Sequence, residues 1–132
     1  MAIQGSCLCH SVKYVIEGEL GPIVCCHCSS CRKVNGTAFA TGTPIDAGQL
    51  TILSGAETMK SYESSPGVHR WFCGNCGAPV YSRRDAQPNL LRMRLGLLDT
   101  KITAKPAMHI FVGDKAEWSQ ICDDAPQYET TP

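Results

Sequence analysis

His69-Arg70-Trp71-Phe72-Cys73-Gly74-Asn75-Cys76-Gly77 carries an extended, strand-like run straight into a C-x-x-C turn. Its glycines permit the left-handed backbone that draws two thiols together. Two thiols fill half of a tetrahedral zinc shell, so the other half must be brought from elsewhere in the chain. Cys7-Leu8-Cys9 supplies such a pair near the start, and Cys25-Cys26-His27-Cys28-Ser29-Ser30-Cys31 supplies a third group. Joining pairs this far apart obliges the chain to fold back on itself. The four thiols of the outer pairs close one zinc, and three or four remain in the central group for a second. A second site short of one ligand is chemically open.

Alone, the Cys73/Cys76 turn equally suits a redox dithiol, but no βαβ pattern surrounds it. A disulfide framework fits poorly, because the nine cysteines are odd in number and cluster more closely than disulfides need. Residues two apart on a strand face the same side, so Cys7 can converge with Cys9, and Cys26 with Cys28. The neighbours Cys25 and Cys26 cannot both do so. Cys26, Cys28 and Cys31 are therefore read as ligands, and Cys25 as a small buried hydrophobe on the opposite face. Cys122, without a near partner, is expected in the core.

Outward from these groups the chain reads as short extended runs broken by turn residues. Strands are expected at Val12–Ile16, Ile23–Cys26, Ala38–Thr43, Leu50–Leu53, Met59–Tyr62, His69–Cys73, Pro79–Ser82, Leu90–Leu95 and Met108–Val112. Turns are expected at Gly18, Asn35-Gly36, Ser54-Gly55, Pro66-Gly67, Pro88-Asn89 and Gly113-Asp114, among others. One turn of helix follows Ser29-Ser30, with a serine as its cap. The segment from Asp123 to Pro132 reads as an irregular tail. The expectation is a mainly β fold of short antiparallel strands in a single domain over residues 1–132.

Composition narrows the partners. Twelve basic side chains balance twelve acidic ones, and Arg83-Arg84 with Arg92 and Arg94 are too sparse for a phosphate-tracking surface, so no nucleic acid is expected. No run is long and apolar enough to span a membrane, and Met1-Ala2-Ile3-Gln4-Gly5-Ser6 lacks the charged start and apolar run of a secretory signal. A cytoplasmic address follows, where thiols stay reduced.

The chain resembles the family of glutathione-dependent formaldehyde-activating enzymes and their relative centromere protein V. The resemblance rests on Gly5-Ser6-Cys7-Leu8-Cys9, Cys26-His27-Cys28-Ser29-Ser30-Cys31-Arg32-Lys33, Gly36-Thr37-Ala38-Phe39, His69 through Gly77, Gly96-Leu97-Leu98-Asp99 and Pro106-Ala107-Met108-His109-Ile110-Phe111. It implies a zinc-stapled β-tent with two zincs per chain. The structural zinc maps onto Cys7, Cys9, Cys73 and Cys76, and the labile, catalytic zinc onto Cys26, Cys28 and Cys31. Cys25 departs from the pattern and leaves a four-thiol central site open.

The chemistry implied by the resemblance makes or breaks a carbon–sulfur bond. The expected function is a zinc-dependent carbon–sulfur lyase acting on a glutathione-type adduct such as S-hydroxymethylglutathione, or forming it from thiol and aldehyde. A non-catalytic zinc module that binds a thiol or a protein is the alternative. Arg32 and Lys33 either offset the charge of a three-thiolate zinc or form a surface pair. For the proton that must move, His27 is the candidate, although strand alternation points it away from the thiols on either side. His69 is read as a group packed near the structural zinc, and His10 and His109 as strand histidines. Trp71, Phe72, Tyr81 and Phe111 are assigned to the core.

Overall fold

A computed structural model describes residues 2–132. In chain order the strands are β1 (Ala2–Ser6), β2 (Lys13–Glu17), β3 (Ile23–Cys26), β4 (Ala40–Asp46), β5 (Leu50–Ser54), β6 (Met59–Ser65), β7 (Val68–Cys73), β8 (Pro79–Arg84), β9 (Gln87–Arg94) and β10 (Pro106–Ile110). One α-helix, α1 (Ser29–Asn35), follows β3. The fold is mainly β, and the chain separates into two compact units.

The first unit contains the residues up to Gly21 together with Thr43–Ile102. Here β1, β2 and β5 form an antiparallel sheet, while β6 to β9 form an antiparallel meander. Alternating residues of these strands, among them Ile3, Tyr14, Ile16, Val80, Leu91 and Met93, build one apolar core with Cys7 and Cys73 inside it. β1 was not anticipated from the sequence, because Gln4 and Gly5 are weak strand formers. Its place follows from pairing. Gly5 stands opposite Tyr14, and the buried Tyr14 ring lies where a side chain at residue 5 would go. Trp71 and Tyr81 pair across β7 and β8, with ring centroids 6.1 Å apart.

The second unit contains Pro22–Gly42 and Thr103–Pro132. β3 pairs antiparallel with the first half of β4 and parallel with β10. The C-terminal segment is stitched along β10: His109 N donates to Pro126 O at 2.8 Å, Tyr128 N to His109 O at 2.9 Å and Val112 N to Tyr128 O at 3.0 Å. Ile23, Cys25, His27, Cys31, Ala40, His109 and Ala116 are buried.

Several local expectations need correction. The β8–β9 turn is Asp85-Ala86, and Pro88-Asn89 lies inside β9. Register shifts between Arg83 and Arg84, so the proline falls in a bulge where no ladder donor is needed. α1 runs seven residues, and its cap is the sulfur of Cys28 instead of a serine. His10 is in no strand; it takes the left-handed backbone, φ 65°, in the turn after β1. Cys122 is exposed, its thiol 3.7 Å from the carbonyl of Gln120, because an irregular segment has no pleat to direct it inward.

Candidate metal centres

Cys7, Cys9, Cys73 and Cys76 bring their sulfurs within 4.8 Å of one another. The Cys7–Cys9 and Cys9–Cys73 separations are 3.7 and 3.8 Å. A tetrahedron with zinc–sulfur bonds of about 2.3 Å has an edge of about 3.8 Å, whereas a disulfide closes to about 2.05 Å. The donor set fits zinc. Strand pleating does not produce this convergence at Cys7 and Cys9, as the sequence had suggested. The chain leaves β1 and turns, with His10 N donating to Cys7 O at 3.1 Å.

The second half of the quartet is a tight knuckle. Gly77 adopts φ 81°, its N–H donates to Cys73 O at 2.8 Å, and Cys73 N donates to Ala78 O at 3.0 Å. Amide hydrogens also point at the sulfurs: Val12 N is 3.2 Å from Cys7 Sγ and Asn75 N is 3.4 Å from Cys73 Sγ. The backbone N–H of Ala78 is the main cause that draws Cys76 down to about 6, and burial pushes Cys7 up to about 11. Cys9 is lowered chiefly by the Ser11 hydroxyl 3.2 Å away.

The second cluster is Cys26, Cys28 and Cys31, again within 4.8 Å. Cys26 ends β3, Cys28 caps α1 and Cys31 lies in its first turn. Cys28 Sγ accepts from Cys31 N at 3.4 Å, so the helix start and the thiol cluster are built from the same atoms. The thiols of Cys28 and then Cys31 push Cys26 upward, since three sulfurs this close cannot all shed protons without a cation. The trio suits zinc as three of its four ligands. Cys25 is buried on β3, and burial pushes its thiol up to about 11.

His27 lies between Cys26 and Cys28 but is fully buried, while the two thiols beside it are partly exposed. Its Nε2 is 2.8 Å from His109 Nδ1, and His109 Nε2 is 3.0 and 3.1 Å from the two carboxylate oxygens of Asp123. Burial, then His109, Lys115 and Arg32, lowers the His27 pKa. The His109 hydrogen bond holds Asp123 below the ordinary carboxylate value. The sequence reading missed this line: it has His109 as a satisfied strand histidine, which holds in β10, but names no partner for it and places Asp123 in an irregular tail. Only the acid in that tail hinted at a partner.

His69 is engaged away from any thiol, with Nε2 3.0 Å from Asp85 and 4.0 Å from Glu63. These three are a further group of metal-type ligands, in which both carboxylates are exposed.

Residues 2–114 match the family described as glutathione-dependent formaldehyde-activating enzyme. The chain belongs to this family. Among similar proteins, an uncharacterized lyase of Schizosaccharomyces pombe is 32% identical over 78 residues, 59% of this chain and 55% of that protein. A putative glutathione-dependent formaldehyde-activating enzyme of Sordaria macrospora is 29% identical over 76 residues, 58% of this chain and 32% of that protein. The aligned part thus spans about half or less of those relatives. A Rhodobacter sphaeroides protein of known crystal structure shares the fold, with a TM-score of 0.63 at 24% identity over 77% of this chain and 91% of the other. Every cysteine of this family member's two thiol clusters lies inside the matched residues, whereas Asp123 lies beyond them.

Proposed function

We propose that this protein is a zinc-dependent carbon–sulfur lyase that cleaves a glutathione-type adduct such as S-hydroxymethylglutathione, and forms it in reverse from thiol and formaldehyde. Family membership and the likeness to the putative glutathione-dependent formaldehyde-activating enzyme of Sordaria macrospora support the glutathione and formaldehyde chemistry. The observation that carries the reading is the contrast between clusters: four thiols converge at Cys7, Cys9, Cys73 and Cys76, and only three at Cys26, Cys28 and Cys31. A four-thiol site is closed and structural, while a three-thiol site keeps a position for an outside ligand. Two zincs per chain follow, the second more weakly held.

Bound at the trio, zinc supplies a Lewis acid able to stabilise an added sulfur as thiolate. The chain's own part is to hold three thiols convergent at the start of α1, with Arg32 and Lys33 next in sequence to offset negative charge. In the cleavage direction the hydroxyl proton leaves the hydroxymethyl group and the carbonyl of formaldehyde forms. As that carbonyl forms, the carbon–sulfur bond breaks with its electron pair on sulfur. His27 is the candidate carrier of that proton, because its Nδ1 is buried without a protein partner among the described residues. A reducing, cytoplasmic setting belongs to this reading, since seven ligand thiols must stay reduced. Among the described residues no helix is long and apolar enough to cross a membrane.

Exchange of ¹³C-formaldehyde with glutathione, followed by NMR at equilibrium, tests the proposal. The zinc-loaded chain should accelerate interconversion above the spontaneous rate, and Cys28→Ala should abolish the gain while one zinc stays bound. Two bound zincs with no acceleration would make the chain a non-catalytic thiol-binding module.

A further inference from the structure

Asp123, His109 and His27 form one hydrogen-bonded line that starts at the surface and ends in the interior of the second unit. The Asp123 side chain is 45% exposed, whereas His109 and His27 are 1% and 0% exposed. Phe39 closes in both rings, with centroids 4.9 Å from His27 and 5.8 Å, edge-on, from His109. Main-chain contacts fix the two ends of the line. His27 N donates to Ile110 O at 3.0 Å, and Ala125 N donates to Asp123 Oδ1 at 3.0 Å.

The direction of each hydrogen bond follows from what the groups can do. An ionised carboxylate only accepts, so His109 Nε2 carries the hydrogen that faces Asp123. With both imidazoles neutral each ring has a single N–H, so His109 Nδ1 accepts and His27 Nε2 donates to it. His27 Nδ1 is then a bare lone pair, buried and without a protein partner among the described residues. A buried acceptor left without a partner is costly, and such groups in native proteins call for a reason.

We propose that His109 and Asp123 are positioning residues for His27: their hydrogen-bond chain holds it as the Nε2–H tautomer, so that Nδ1 is the ring's acceptor for a hydrogen donor. This deepens the lyase reading and rests on it only for the identity of the donor.

The test uses the full, zinc-loaded chain with ¹⁵N-labelled histidine and long-range ¹H–¹⁵N correlation at neutral pH. His27 should show a bare Nδ1 and a protonated Nε2. Asp123→Asn can offer an amide donor to His109, so the His27 tautomer should reverse or become mixed, and Asp123→Glu should restore it. With formaldehyde and glutathione, kcat of Asp123→Asn should fall roughly tenfold or more, with KM and zinc content little changed. A hydrogen on His27 Nδ1 in the unaltered chain, or a tautomer unmoved by Asp123→Asn, would overturn the proposal. Lack of turnover in the unaltered chain would remove the lyase reading alone, because the tautomer is read without substrate.

Discussion

The sulfur of Cys28 caps the helix that carries Cys31, accepting a hydrogen bond from the Cys31 backbone N–H at 3.4 Å. One atom therefore serves both the local fold and the thiol cluster. Cys28→Ser and Cys28→Ala both remove the thiolate, but serine is a good cap and alanine a poor one. Both variants should lose the second zinc. The alanine variant should unfold at lower denaturant by about 1 kcal/mol relative to the serine variant. Equal midpoints in urea would show that the sulfur does not cap.

Loss of a thiol from the other cluster has a different outcome. Cys73 is fully buried in the apolar core, and Cys7 and Cys76 belong to the same packed group. Structural zinc contributes about 10–16 kcal/mol of apparent binding energy, against a typical domain stability of about 5–15 kcal/mol. Cys76→Ala should therefore unfold the chain, seen as lost strand signal in circular dichroism with no zinc retained. A folded Cys76→Ala chain that keeps two zincs would contradict the four-thiol assignment.

Gly5 is confined by the ring of Tyr14, its partner across β1 and β2. Gly5→Ala should destabilise by about 1–3 kcal/mol, the usual cost of forcing a methyl group into a filled core. Tyr14→Leu in the same chain should relieve part of that cost, so the two changes will not add. Strict additivity in a double-mutant cycle would mean the two residues do not meet.

The two cysteines outside the clusters should differ in reactivity. Cys122 is exposed, whereas Cys25 is 1% exposed with its thiol pushed up to about 11 by burial. At pH 8 only about one Cys25 thiol in a thousand is ionised, and thiolate is the reactive form. Alkylation of the zinc-loaded protein, mapped by mass spectrometry, should label Cys122 first and Cys25 only on unfolding. Early labelling of Cys25 would count against its place in the core.

The sequence by itself determined the β class and the local grouping of seven candidate ligands, and it set Cys25 on the opposite face from Cys26, because these depend on spacing within a few residues. A C-x-x-C-G segment dictates its own turn, and neighbouring strand residues must face apart. The tertiary structure alone decided the rest. Cys122 lost its expected burial because its segment has no pleat, and Pro88 entered a strand because a bulge received it. Gly5 acquired a reason only when β1 met Tyr14. The line from Asp123 through His109 to His27 was invisible for the same cause. Its members are brought together by the parallel pairing of β10 with β3 and by the C-terminal segment along β10. Such pairing is chosen by long-range register and shared burial, which no local spacing encodes.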